Sequence, residues 1–324
     1  MVDRFLCAIC IVGVGIASAP VVVDAGLTPG DVLVSNGSTL KEYTSSGTVV
    51  QTFLPPGSPN SSSAALKGIV VSPDGRLHVF LASYNSPFQG TLETFDFKSN
   101  SWSQHTLPDW NIANVTYYGG ISADSHYVYV PDGNASASAK GIIRFPLNDL
   151  SAPERFATSY NPHSVKVGLD GNIYAVEQTS LHNVHVFDPV TLVHIRDVTV
   201  KTDATTNDIA VAANGDFFLV DLDNTIYHED ASGNLIKKVT SSGIYNTDIE
   251  ISSDGRILVG SSGNKVTLTN TNLDAFATFD TPVANGPSNH NFVAFTEVPE
   301  PSTAVLSLMA AGLVGVRRRS RSKR

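Results

Sequence analysis

The chain has 324 residues, 42% hydrophobic and only 16% charged, with abundant Gly, Pro, Ser, Thr and Asn; that balance favours many short strands and turns over helices. The formal charge is −9, and setting aside residues 1–25 (net −1) and 302–324 (net +6) leaves a body at −14. So acidic a body repels phosphate backbones, which sets nucleic acid aside as a partner.

The chain opens with Arg4 and then an apolar run, Phe5 to Ile16. That length suits the core of a signal peptide and is too short for an ordinary spanning helix. Ala17-Ser18-Ala19 has the small-residue look of a cleavage site, but Pro20 would follow the cut. Val23-Asp24-Ala25 before Gly26 is the better site, with signal peptidase as the first processing partner. An uncleaved anchor is the other reading, and both place the body outside the cytoplasm. The two cysteines, Cys7 and Cys10, sit inside this leader, so a mature chain from residue 26 has no disulfide.

Six turn-then-strand segments follow: Pro29–Val34, Asp74–Val79, Asp124–Val130, Asp170–Val176, Asn214–Val220 and Asp254–Val259. Their turn markers Gly30, Gly75, Ser125, Gly171, Gly215 and Gly255 are spaced 45, 50, 46, 44 and 40 residues apart. A period in the forties, without helical patterning, is a signature of propeller blades. The Asp/Asn-Gly pairs are expected to form two-residue type I′ hairpin turns. Each marker is preceded by an apolar strand such as Gly68–Ser72, Gly120–Ser122, Ser164–Val167, Asp208–Val211 or Asp248–Ile251. A third strand such as Thr91–Phe95 and a more polar fourth one, Thr191–Ile195 or Leu235–Val239, complete each unit.

The first unit lacks its own inner strand, and Phe292–Glu297 is an inner-type strand with no unit behind it. The two defects cancel if the C-terminal strand enters the first blade. The expected fold is therefore all-β, a six-bladed propeller over residues 26–298 closed by that strand; an open β array or two sandwiches is the alternative. Phe292, Ala294 and Thr296 fall on one face of the strand, Val293, Phe295 and Glu297 on the other. The loops Pro55–Ser63 and Asp132–Lys140 join strands, and Asn36, Asn60, Asn114 and Asn134 head Asn-x-Ser/Thr triplets that polar loops generate by chance.

In a propeller the residues leading into the inner strands gather around the central channel. Here these are Lys67, Tyr118, His163, Asn207, Asp208, Thr247, Asp248, His290 and Asn291. Their imidazole and oxygen groups form a candidate cage for a divalent cation such as calcium, with His163, Asn207, Asp208, Asp248, His290 and Asn291 as ligands. The same residues also read as strand caps bonded within the channel. Asp221-Leu222-Asp223-Asn224 lacks the later Gly and Glu of a calcium loop and reads as a hairpin turn. Trp102 and Trp110 could stack on a sugar or pack in the core. No nucleophile elbow, zinc-protease helix or phosphate loop is present in the sequence.

The phrase Asn161-Pro162-His163-Ser164-Val165-Lys166-Val167-Gly168-Leu169-Asp170-Gly171-Asn172-Ile173-Tyr174 resembles a blade opening of the six-bladed NHL-repeat and gluconolactonase-like propellers. That resemblance implies a channel lactonase or lyase with a metal held by Glu, Asn and Asp, but no Glu stands at an inner-strand entrance in this sequence.

The C-terminus carries Val298-Pro299-Glu300-Pro301-Ser302, an apolar run over 303–316 and a basic cluster, Arg317, Arg318, Arg319, Arg321, Lys323 and Arg324. In that order these features resemble the PEP-CTERM sorting signal of Gram-negative bacteria. Fourteen helical residues span about 21 Å, short of a roughly 30 Å bilayer core, and the basic end favours the cytoplasmic side. The resemblance implies cutting near Pro299-Glu300-Pro301 by an exosortase, a transient membrane helix, and delivery to the envelope or extracellular matrix, often alongside exopolysaccharide. A plain C-terminal anchor is the other reading. Two functions are thus expected: a non-enzymatic binding or matrix propeller, or a channel enzyme with a bound cation.

Overall fold

The computed structural model describes residues 26–37, 39–57, 64–83, 90–107, 120–133, 140–177, 182–243, 245–282 and 290–297. The expected signal peptide, Tyr118, Trp110, Asn60, Asn114, Asn134, Pro299, Glu300, Pro301, the 303–316 run and the basic tail from Arg317 lie outside them. Among the described residues no helix is long and apolar enough to cross a membrane.

Turn chemistry sets the repeat. Gly75, Gly171, Gly215 and Gly255 all have φ between +83° and +89°, but none of the preceding Asp or Asn residues has positive φ. The expected type I′ turns are therefore not formed. Instead Ser72 N–H donates to Arg76 O (2.9 Å) and Gly75 N–H to Ser72 O (2.8 Å), which encloses three residues, Pro73-Asp74-Gly75. The same pair of bonds recurs around Gly171, Gly215 and Gly255. This is a three-residue hairpin loop ending in a left-handed glycine. The Asp74 side chain fixes it by accepting from Ser72 Oγ at 2.6 Å and from Arg76 Nε at 2.8 Å.

These hairpins build six four-stranded antiparallel sheets. Blade I holds β1 (Val32–Asn36), β2 (Thr39–Tyr43) and β3 (Val49–Phe53); blade II holds β4 (Ala64–Val71), β5 (Leu77–Ser83), β6 (Gly90–Asp96) and β7 (Ser101–Thr106). Blade III holds β8 (Ser122–Ala123), β9 (Tyr127–Asp132), β10 (Gly141–Pro146) and β11 (Glu154–Ala157); blade IV holds β12 (Pro162–Val167), β13 (Ile173–Glu177), β14 (Asn183–Phe187) and β15 (His194–Thr199). Blade V holds β16 (Thr206–Val211), β17 (Phe217–Asp221), β18 (Thr225–Glu229) and β19 (Leu235–Thr240); blade VI holds β20 (Asn246–Ile251), β21 (Arg256–Ser261), β22 (Lys265–Asn270) and β23 (Ala277–Asp280). The last strand, β24 (Val293–Phe295), returns to blade I and lies beside β1, giving the order β24-β1-β2-β3. The innermost strands touch in a closed cycle, β24 to β4, β8, β12, β16, β20 and back to β24. The protein is a six-bladed β-propeller.

Several boundaries differ from expectation: β4 starts earlier, at Ala64, β8 is only Ser122–Ala123, and β24 is Val293–Phe295. β15 begins at His194, not Thr191, because the Asp188 carboxylate accepts from the N–H groups of Val190 and Thr191 and holds a turn there.

The closing strand pairs Val32 with Phe295, Leu33 with Ala294 and Val34 with Val293. Backbone bonds extend it at both ends: Ser35 N–H donates to Phe292 O (2.8 Å) and Thr296 N–H to Asp31 O (3.2 Å). Both of its faces are buried. Phe292 and Ala294 pack with Leu66, Ile69 and Val79 of blade II, whereas Val293 and Phe295 pack with Leu258 and Val266 of blade VI. β24 is thus the wedge between the first and last full blades. Beyond it, Arg256 of blade VI pairs with Glu297 and lies over the Phe295 ring at 5.1 Å.

Candidate functional site

Four inner strands skip one residue in their pairing with the second strand of the blade. The skipped residues are Lys67 in β4, His163 in β12, Asn207 in β16 and Thr247 in β20. A bulge of this kind re-aims one side chain without breaking the sheet. All four are positions that the sequence marks as channel entrances, and all four are buried. Asn207 Nδ2 donates to Asn246 O (2.5 Å) and Thr247 Oγ1 to Asn291 O (2.6 Å), so each links its blade to the next inner strand.

In blades V and VI the residue after the bulge, Asp208 or Asp248, does the same for a backbone N–H group. An inner strand has one edge facing the channel, where its amides have no strand partner and must find another acceptor. Asp208 Oδ2 accepts from Ile249 N–H (2.9 Å), and Asp248 Oδ2 accepts from Val293 N–H (2.7 Å). Ser122 Oγ likewise serves Val167 N–H (3.0 Å), while Ser35 Oγ serves Phe292 N–H (2.8 Å) on the β1 side of the closing strand. Asp208 and Asp248 therefore cap strand edges, and Asn291 Nδ2 is turned toward Thr281 Oγ1 at 3.2 Å.

At the centre stands a residue that sequence reasoning passed over. The Lys166 ammonium, on β12, lies 3.1 Å from Asp208 Oδ2 and 3.0 Å from Asp248 Oδ1, and it also pairs with Glu250. Lys166, Asp208 and Asp248 are all fully buried. Ser164 Oγ donates to the other oxygen of Asp208. Gly120 leaves the space for this arrangement, since a Cβ there would collide with the Lys166 side chain and with Asp248 Oδ1. An ammonium thus fills the position that a cation between Asp208 and Asp248 would take.

Three carboxylates face one ammonium, so the protons distribute unevenly. Burial pushes the Asp208 carboxyl well above the usual range, with Lys166 opposing and Asp248 adding to the rise. Asp248 moves the other way: burial raises it, but Lys166, a hydrogen bond with Asp208 and the Val293 N–H together outweigh burial. Burial raises Glu250 to about 7. Lys166 is held well above its ordinary value, because the three carboxylates overcome its desolvation. Of the two coupled carboxyls facing Lys166, Asp208 therefore holds a proton more readily than Asp248 does.

At the edge of the ring, burial lowers Lys67 to about 8, and burial with the Lys67 charge lowers His290 to about 4. His163 is buried on its bulge. Asp221 binds the N–H groups of Asp223 and Thr225, both at 3.0 Å, and accepts from Tyr227 OH at 2.6 Å, as a hairpin-turn carboxylate does. Trp102 packs against Phe95 at 5.1 Å between ring centroids.

Two buried glutamates make stability depend on pH. Glu93 accepts from Gly57 N–H (2.8 Å) and Glu229 from Lys201 N–H (2.7 Å), and the second oxygen of each is buried without a partner. Burial raises both to about 7 from an ordinary 4.5. A carboxyl with a raised folded pKa leaves stability intact below the unfolded value and costs stability as pH rises through the folded value. Glu93→Gln is therefore expected to gain about 1–2 kcal/mol over the parent near pH 8 and nothing near pH 4. Urea unfolding at the two pH values checks this; a gain at pH 4 equal to that at pH 8 would contradict it.

Comparison with known proteins agrees with the fold and with the C-terminal reading. The body is similar to a crystal structure of a protein of unknown function from Bacteroides caccae, at 13% identity and a TM-score of 0.51, over 68% of this chain and 82% of that one. At that identity the likeness concerns the fold alone. No curated protein matches the sequence. Residues 297–322 match the family model of the PEP-CTERM protein-sorting motif, so the propeller carries a C-terminal sorting address that implies export, a membrane-anchored intermediate and exosortase processing.

Proposed function

We propose that the chain is a non-enzymatic binding or structural protein of the cell envelope or extracellular matrix, released there by an exosortase. The observation that carries this reading is contiguity. β24 ends at Phe295, Thr296 and Glu297 still hold the body, and the sorting motif begins at residue 297. The closing strand lies before the address and Glu297 at its first residue, so a cut at or beyond Pro299 releases an intact body.

The channel also supports binding over catalysis. Asp208 and Asp248, the acids best placed to hold a catalytic cation, are engaged by Lys166 and by strand-edge amides. The outer rim is the surface on offer instead: Val49 and Val50 on β3, Ile195 on β15 with Val193 just before it, and Leu235 and Ile236 on β19 are exposed. An apolar rim suits contact with other matrix proteins or the flat faces of polysaccharide sugars.

Replacing Pro299, Glu300 and Pro301 by alanine is expected to leave an unprocessed precursor in the inner membrane of the native host. Immunoblots of membrane and released fractions, with the C-terminal mass of the released parent, measure this. Normal release of the mutant, or a parent C-terminus before residue 297, would overturn the reading.

A further inference from the structure

Blade IV carries a second cluster of polar side chains, far out on its sheet and separate from the Lys166 group. His185 of β14 lies directly opposite Asp197 of β15. His194 is three residues before Asp197, and in a regular strand it would point to the other face. The pairing of β14 with β15 skips Ile195, however, so that His194 falls opposite Phe187. Phe187 and His185 share a face of β14, and the bulge therefore turns His194 onto the side of His185 and Asp197.

The outcome is convergent. His185 Nδ1 lies 2.7 Å and His194 Nε2 2.6 Å from the same oxygen, Asp197 Oδ1. One ligand atom from each of the three residues lies within 4.8 Å of the others. His185 is buried, while the side chains of His194 and Asp197 are 46% and 52% exposed, which leaves one side open to solvent. We propose that His185, His194 and Asp197 form a binding site for a divalent first-row transition-metal ion, zinc foremost.

Three observations carry the assignment. The donors are two imidazoles and one carboxylate, a set that suits zinc, with water or an incoming group in the fourth place, and that does not suit calcium or magnesium. The second observation is the far nitrogen of His185. Nε2 is buried and has no hydrogen-bond partner, although Glu177 Oε2 is 3.9 Å away. With Nδ1–H given to Asp197, a neutral His185 turns a bare Nε2 lone pair toward a carboxylate. A metal at Nδ1 displaces that proton and puts the ring's N–H on Nε2, facing Glu177, which is the outer-shell carboxylate that metal-bound histidines ordinarily have.

The third observation is rigidity. Tyr160 stacks on the His185 ring at 3.6 Å and 13°, holding the one buried ligand in place. Zinc bonds of about 2.0–2.1 Å require donor atoms roughly 3.3 Å apart. Rotation of the two exposed side chains, His194 and Asp197, opens the cluster by that amount while His185 stays fixed.

The test is titration of the full-length chain, purified without a polyhistidine tag, with Zn²⁺ by calorimetry and with Co²⁺ by visible absorption. One equivalent of zinc is expected, with a cobalt d–d band and a higher melting temperature in the metal. His194→Ala and Asp197→Asn change half-exposed side chains, so both should fold, and each should weaken binding at least tenfold; Glu177→Gln should weaken it about 10-fold through His185. Absence of saturable binding in the parent would overturn the proposal. So would zinc affinity unchanged in His194→Ala, which would place the metal elsewhere on the chain.

Discussion

Lys166→Met is expected to destabilise the propeller by about 3–5 kcal/mol, the usual cost of removing one partner from a buried ion group. The lysine lies among Asp208, Asp248 and Glu250, and without it Asp248 keeps a buried carboxylate that has lost its counter-charge and retains the Val293 N–H as a donor. Because Asp248 caps the amide of Val293, the damage should reach the closing strand. The loss belongs to the stranded charges and not to the missing methylenes, since methionine fills similar volume. Adding Asp248→Asn and Glu250→Gln to Lys166→Met should therefore restore at least half of it. Chemical unfolding of parent, single and triple variants measures both. A single variant within about 1 kcal/mol of the parent, or a triple variant worse than the single, would contradict the account.

A chain that stops after residue 289 is expected not to fold cooperatively. It loses Phe292, Val293, Ala294 and Phe295, all buried, and exposes the β1 edge together with facing surfaces of blades II and VI. At about 1.5–3 kcal/mol for each large apolar side chain, three of them alone approach the 5–15 kcal/mol that holds a typical domain together. Three capping bonds go as well, from Ser35 Oγ, Asp248 Oδ2 and Thr247 Oγ1. The loss is not local, because a propeller blade is stabilised by its neighbours and an open ring leaves two blades with one neighbour each.

Much of this architecture was legible in the sequence. Turn glycines at a period in the forties mark the second strand of five blades, and a first unit without an inner strand points to the one left over at the C-terminus. The alternation in residues 292–297 carries apolar side chains on both faces, and the structure buries both faces between blades. Pro73 before Asp74 was a signal for the three-residue loop: proline presets the first turn position of a type I turn, and Gly75 then takes the left-handed one.

The centre of the channel was not legible. In Ser164-Val165-Lys166-Val167 the lysine reads as the solvent-facing member of an alternating strand. Its partners Asp208, Asp248 and Glu250 come from two other blades, 42 to 84 residues away, and only ring closure turns them inward. The His185, His194 and Asp197 cluster escaped for a local reason. Spacing of three residues puts His194 and Asp197 on opposite faces of a regular strand, and the bulge at Ile195 that unites them has no signature in the residue types.

The central claim is that residues up to 297 form a self-sufficient ring fastened by β24, with everything beyond serving as address. Thermal unfolding of two chains, one ending at Glu297 and one at residue 289, tests it most directly. The account predicts a single cooperative transition for the longer chain at the melting temperature of the full protein, and no cooperative transition for the shorter. A shorter chain that melts cooperatively within a few degrees of the longer one would contradict it.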